Sequence, residues 1–331
     1  MISILIAARN EEDSILTCLQ SLNQLTFPID QLEIWIGDDD SSDLTATLVL
    51  KYIRDKPHFH YKKITTHLGM ARGKGNVLAQ LIRFAKGSYF LITDADVTVP
   101  PNWIEVMLSA HTPGIGIISG VTVPQPVTLW TAMQAIDWAQ ALYMIHQLSH
   151  CGIAVSGLGN NMLITKEAYE ATGGYENMRF SISEDHQLFK AVIQKGYGFR
   201  QLFAADCLVE TQGLPTFDDL INQRKRWMNA AMQTPWYIRM LTLLPLFLLP
   251  IIVISFITQP FTSLLSWIGL LLIQALITLS CVHGLKAHHL YIYALIYPVY
   301  FHFITFSTLI QYALASPTYW KGRRYELTEI T

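Results

Sequence analysis

Charge is what this sequence has least of. Lysine, arginine, aspartate and glutamate make up 15% of its 331 residues, against about a quarter in ordinary soluble domains. The shortage is local. Between residues 241 and 316 Lys286 is the only side chain of these four types, so that stretch is expected to lie in lipid, while residues 1–235 read as a globular domain large enough to build its own core. Charge of one sign is also missing: the net charge of −2 supplies no basic field of the kind a phosphate-tracking partner needs, and no nucleic acid is expected to bind. Cysteine is scarce, and Cys18, Cys151, Cys207 and Cys281 are spaced neither as a zinc site nor as a small disulfide framework. The opening MISILIAARNEED has no basic flank and too short an apolar run for a secretory signal, so the globular part is expected to stay cytoplasmic.

What is present has a rhythm. Ile2–Ala8, Leu32–Gly37, His60–Thr65, Tyr89–Thr93 and Ile115–Val121 read as buried strands, and Ser14–Leu25, Leu44–Arg54, Lys74–Lys86 and Trp103–Ala110 between them as helices. Repeated βα units of this kind predict an α/β domain with a mostly parallel, Rossmann-like sheet. After it come an apolar-faced segment, Leu129–Leu148, and a glycine-rich stretch, Gly152–Asn161, expected on the acceptor side. An amphipathic interface helix is expected within 216–236, then three hydrophobic segments at about 241–258, 262–282 and 290–315, each near the ~20 residues that cross a bilayer, and a basic tail over 316–331. An integral membrane protein of a bacterial inner membrane follows. Three full spans would put the basic tail opposite the catalytic domain, against the positive-inside bias, whereas a re-entrant pair broken at Gln259 and Pro260 would keep both on one side.

Sheets of this type bind ligands beyond the carboxyl ends of their strands. Ala8, Arg9, Asn10 and Glu11 follow the first strand, Asp38, Asp39 and Asp40 the second, and Asp94, Ala95 and Asp96 the fourth. Each cluster alone reads as turn or capping chemistry; three on one edge read as a ligand site. An Asp-x-Asp there suits Mg²⁺ or Mn²⁺ carrying a diphosphate, since these hard cations take carboxylate and phosphate oxygens together. Arg72, Gly73, Lys74 and Gly75 open a helix beside it, a sensible neighbour for a nucleotide diphosphate. Ser183, Glu184, Asp185 and His186 read either as a capping box or as a source of a general base. Gln223, Arg224, Lys225, Arg226 and Trp227 read by default as a basic, membrane-facing patch.

In this order and at these intervals the set resembles the family 2 glycosyltransferases of GT-A fold, over about residues 1–235, with Gln223-x-x-Arg226-Trp227 after Glu184-Asp185 its most diagnostic part. The resemblance implies that Ala8, Arg9, Glu11 and Asp39 (or Asp38, the triple Asp leaving the register open) hold the base and ribose of a UDP- or GDP-sugar, with Lys74 nearby. It implies that Asp96 ligates the divalent cation with Asp94 beside it. Asp185, next to Glu184, would be the base that deprotonates the acceptor; Arg226 would hold the leaving diphosphate, and Gln223 and Trp227 would line the acceptor path. The reaction implied is inverting transfer to a membrane lipid or lipid-linked acceptor. A processive polysaccharide synthase and a catalytically inactive nucleotide-sugar-binding membrane protein stand as alternatives.

Overall fold

The structure is a computed structural model describing residues 1–178, 181, 183–314, 318–320 and 323–325. It divides into two compact units, one of residues 1–123 and 142–212, the other of 124–141 and 213–331.

The first unit starts with β1 (Ile2–Ala8), α1 (Ile15–Leu22), β2 (Leu32–Asp38), α2 (Thr45–Ile53), β3 (Phe59–Lys63), α3 (Gly73–Ile82) and β4 (Tyr89–Asp94). It continues through β5 (Val97–Thr98), α4 (Trp103–Ser109), β6 (Ile115–Ser119) and β7 (Val121–Pro124) into α5 (Leu129–His150), a helix that runs through both units. Then come β8 (Asn161–Thr165), α6 (Lys166–Thr172), α7 (Glu184–Gln194), β9 (Gly198–Gln201) and β10 (Leu208–Thr211). The main sheet has the order β3-β2-β1-β4-β8-β6-β9, and β5, β10 and β7 form a smaller one. Strands β1 to β4 pair in parallel, whereas β8 runs antiparallel to both β4 and β6.

Why β1 lies in the middle is visible in its residues. ISILIAA is apolar at almost every position, the pattern of a strand covered on both faces rather than one. Ile2, Ile4 and Ile6 pack with Ile15, Leu19 and Leu22 of α1 and with Trp103 and Met107 of α4. Leu5, on the opposite face, packs with Val77, Leu78 and Leu81 of α3 and with Leu188 and Val192 of α7. Each such side chain contributes roughly 1.5–3 kcal/mol by leaving water. Gly37 lets α3 settle on β2, because a Cβ there would run into Val77 and Leu81.

One expected strand is two. Ile115–Val121 splits at Gly120 into β6 of the main sheet and β7 of the smaller one. Gly120 has no room for a side chain because the Asn161 amide lies against it, and its N–H donates to the Asn161 carbonyl at 2.8 Å. Asn161 is fully buried; it accepts from the Trp103 indole N–H at 2.9 Å and donates to the carbonyls of Val121 and Cys207 at 2.9 and 3.0 Å.

In the second unit, with residues 129–141 of α5, are α8 (Phe217–Met232), α9 (Trp236–Thr258), α10 (Pro260–Gly284), α11 (Tyr291–Ala294), α12 (Tyr297–Ala313) and the paired strands β11 (Thr318–Trp320) and β12 (Arg323–Tyr325). The apolar segments read from the sequence fall on α9, on α10, and on α11 with α12. Among the described residues α10 has the length and apolarity to cross a membrane, while the α11 region and α12 are bent by 70° where they meet. Ser316, Pro317, Lys321, Gly322 and residues 326–331 of the expected tail lie outside the described residues.

Because Asn161 satisfies three buried groups at once, Asn161→Ala should destabilise the protein by about 3 kcal/mol or more, at about 1–3 kcal/mol per stranded group. Denaturant unfolding in detergent measures this. A loss below about 1 kcal/mol would show that the junction of the two sheets does not depend on it.

Candidate functional site

The register of the parallel strands aligns the expected residues. Ala8 stands opposite Asp38, and Ala7 opposite Asp94, so the ends of β1, β2 and β4 finish level. The chain leaves β1 for β2 and β3 and returns to β4 on its other side, which makes this the switch point where such sheets open a crevice. Two residues here take the left-handed backbone conformation that asparagine and aspartate tolerate best, Asn10 (φ 52°) and Asp40 (φ 55°). Asn10 holds the facing loop by accepting from Ser42 N–H at 2.9 Å and donating its own N–H to Ser41 Oγ at 3.0 Å.

The three consecutive aspartates differ. Asp38 is buried, and its carboxylate accepts from the Tyr61 hydroxyl at 2.7 Å and from Ser41 N–H at 2.9 Å, so it holds the loop together. Asp39 lies beside Arg9, whose guanidinium donates to the Asp39 carbonyl at 2.5 Å and reaches its carboxylate at 3.5 Å. Asp40 pairs with Lys63 at 3.0 Å. Glu11 is buried, accepting from the Ser14 hydroxyl at 3.0 Å while its N–H donates to Thr45 Oγ1 at 2.8 Å.

A second group meets around Lys74, in the first turn of α3. Its ammonium, with the side chain only 12% exposed, donates to Asp94 at 2.5 Å and to the Gly159 carbonyl at 3.0 Å, and lies 3.7 Å from Glu184. Burial works against the charge on Lys74, but Asp94, Glu184 and Asp185 outweigh it and hold the ammonium protonated well above the usual lysine range. Asp185 has each oxygen on a backbone N–H, Oδ2 on Gly159 at 2.9 Å and Oδ1 on His186 at 2.8 Å. Burial pushes the Glu184 carboxyl up, Lys74 pulls it back, and the charges of Asp185 and Asp94 add to the rise, leaving it at about 7. Behind this group the Cys18 thiol donates to the Asp94 carbonyl at 3.5 Å, and burial, then the charges of Asp96 and Asp94, push that thiol up. Ser183 caps α7 with no side-chain bond, so the capping-box reading of Ser183 to His186 does not hold.

Gly159 was invisible in the sequence as a site residue. Its N–H holds Asp185 and its carbonyl holds Lys74, and a Cβ there would stand 2.9 Å from the Asp185 Cβ and 3.1 Å from the Lys74 ammonium. The only prior signal was a glycine in a glycine-rich run.

Gln223, Arg226 and Trp227 lie on α8 in the second unit. The default reading of this run as a basic, membrane-facing patch fails for Arg224 and Lys225, which are buried. Arg224 pairs with Asp137 at 2.5 Å and its guanidinium stacks over the Trp227 ring at 4.1 Å. Asp137, inside an apolar-faced helix, was not singled out by sequence reasoning. Among the described residues no three His, Cys, Asp or Glu side chains gather as a metal cage. The donors that fit a hard cation are the carboxylates of Asp94 and Asp96, partly exposed at the end of β4, a set that phosphate oxygens from a ligand would complete.

The family model for glycosyl transferase family 21 matches residues 2–331. The chain belongs to that family. The GT-A glycosyltransferase resemblance read from the motifs stands, and the match sets it in family 21. The chain is 26% identical over 235 residues to a β-monoglucosyldiacylglycerol synthase of Synechocystis sp., covering 70% of this chain and 48% of that protein. It is 28% identical over 233 residues to a poly-β-1,6-N-acetyl-D-glucosamine synthase of Staphylococcus aureus, covering 70% and 54%. The chain thus spans about half the length of these curated relatives. Its fold is like that of a mannosyltransferase from Pyrobaculum calidifontis solved with GDP-Man and Mn²⁺, at TM-score 0.57 and 18% identity, over 89% of this chain and 86% of that one.

For this family 21 member the raised Glu184 carboxyl has a measurable consequence. In the ligand-free protein its protonated form is favoured by folding, so the associated stability is fully present below the ordinary value of 4.5 and is lost as pH rises through about 7. The stability of the wild type relative to Glu184→Gln should therefore fall across that window. A difference independent of pH, measured by thermal unfolding, would contradict the half-buried placement of Glu184 beside Lys74, Asp185 and Asp94.

Proposed function

We propose that this protein transfers a sugar from a UDP- or GDP-sugar to the hydroxyl of a membrane lipid or lipid-linked acceptor, with inversion at the anomeric carbon. The observation that carries the proposal is Lys74, which draws Asp94 of the Asp-x-Asp and Glu184 of the Glu-Asp pair onto one ammonium. Two parts of the motif set, 90 residues apart in sequence (94 to 184), thus share one ammonium, which supports their acting together.

In this reading Arg9, Glu11 and Asp39, with the backbone at Ala8, receive the base and ribose. Asp38, engaged by Tyr61 and Ser41, keeps the loop in shape rather than meeting the nucleotide. Asp96 and Asp94 hold a divalent cation, Mg²⁺ or Mn²⁺, which when bound draws charge from the donor diphosphate. Lys74 adds a fixed positive charge beside Asp94. Asp185, oriented by two backbone N–H groups, takes the proton from the acceptor hydroxyl. That oxygen forms its bond to the anomeric carbon as the bond to the diphosphate breaks, and Arg226 receives the negative charge that develops on the leaving oxygen. Gln223 and Trp227 border the acceptor.

The diacylglycerol in the name of the Synechocystis relative supports a lipid acceptor with a free hydroxyl. The polymer-forming Staphylococcus relative keeps a processive synthase as the second reading. The apolar α10, and α9 before it, support an integral membrane protein. We place it in a bacterial inner membrane with the catalytic domain on the cytoplasmic side.

Asp185→Asn replaces one oxygen by nitrogen and removes the base. It should abolish transfer to lipid extract while affinity for the nucleotide in the presence of Mn²⁺ stays within about threefold of wild type. Loss of nucleotide binding would move Asp185 to the donor site, and retained transfer would remove it from the chemistry.

A further inference from the structure

The motif helix α8 has a support that the family reading leaves without a role. Asp137 is set in a run of buried apolar neighbours on α5, among them Met133, Ile136 and Trp138. Its carboxylate accepts from Arg224 of α8 at 2.5 Å and from the Tyr297 hydroxyl of α12 at 2.8 Å, so three helices of the second unit meet at one anion. Arg224 reaches two motif side chains from this anchor. One of its N–H groups donates to Gln223 Oε1 at 3.0 Å, and its guanidinium lies 4.1 Å over the Trp227 ring. Trp138, next to Asp137, meets Trp227 edge-on at 4.8 Å. A flexible lysine could not form this arrangement, since it lacks the planar fork that stacks and bonds at once.

A buried ion pair seldom adds net stability over an apolar pair of similar volume, because desolvating both charges offsets their attraction. What it adds is a defined geometry. We infer that Asp137, acting through Arg224, is a positioning residue that holds Gln223 and Trp227 in place for the acceptor, with the Tyr297 hydroxyl fixing the carboxylate. The inference rests on the acceptor-side role given to Gln223 and Trp227 above.

The test replaces the pair by apolar residues, Asp137→Leu with Arg224→Met, in the full chain in detergent. The variant should stay folded, its unfolding midpoint lowered only by the Tyr297 hydroxyl that loses its acceptor, and affinity for GDP and UDP with Mn²⁺ should stay within about twofold. Turnover with membrane lipid extract should fall about tenfold or more, as expected when a contacting group is misplaced. A stable double variant with wild-type turnover would overturn the inference by reducing the pair to a helix contact. Arg226→Lys serves as the control: full activity there would overturn the reading of the motif itself, whatever the double variant does. A readout independent of any acceptor is the fluorine resonance of Trp227 in protein labelled with 5-fluorotryptophan. Asp137→Asn leaves Arg224 in place but loosens it, so that resonance should shift or broaden, and an unmoved resonance would equally overturn the proposal.

Discussion

An ammonium largely removed from water has to be balanced, and the balancing of Lys74 organises the candidate site. An isolated charge taken out of water costs several kcal/mol, and only close partners of opposite sign offset it. Lys74 finds Asp94, Glu184 and the Gly159 carbonyl, each supplied by a different part of the first unit. α3 brings the lysine, the end of β4 brings Asp94, and the start of α7 brings Glu184 with Asp185 behind it. Break any of these placements and a charge is left without its counterpart. The same constraint fixes where the carboxylates of Asp94 and Glu184 lie at the end of the strand.

The second unit solves a related problem on a different scale. Its helices are apolar, yet α8 carries a run of cations. Arg224 is removed from water by pairing with Asp137 and by stacking on Trp227. The polar residues of the motif thus sit on a helix anchored from inside its own unit by Asp137 and Tyr297.

The features of the fold that were legible in the sequence share a local cause. Strands β1, β2 and β4 are runs of apolar residues ended by polar ones, and their ends could be found without knowing what lay beside them. The GT-A glycosyltransferase resemblance, too, was legible from the order of the motifs, although the family that matches is family 21 and not family 2. What escaped reading depends on contacts distant in sequence. The break at Gly120 is imposed by Asn161, 41 residues later. Asp38 and Asp39 look alike in sequence and differ only because Tyr61 claims the first and Arg9 the second. Glu184 looked like a capping residue because its partner, Lys74, is 110 positions earlier. Asp137 was hidden by apolar neighbours that are the reason it needs Arg224.

If Lys74 makes one nucleotide-sugar site out of the Asp-x-Asp and the Glu-Asp pair, calorimetric titration of this chain with UDP and with GDP, with Mn²⁺ and with EDTA, for wild type and Lys74→Met, will show it. One of the two nucleotides should bind only with the cation and about tenfold or more weaker in a folded Lys74→Met variant, the loss of roughly one charge-assisted contact. Equal nucleotide affinity in EDTA, or in Lys74→Met, would contradict it.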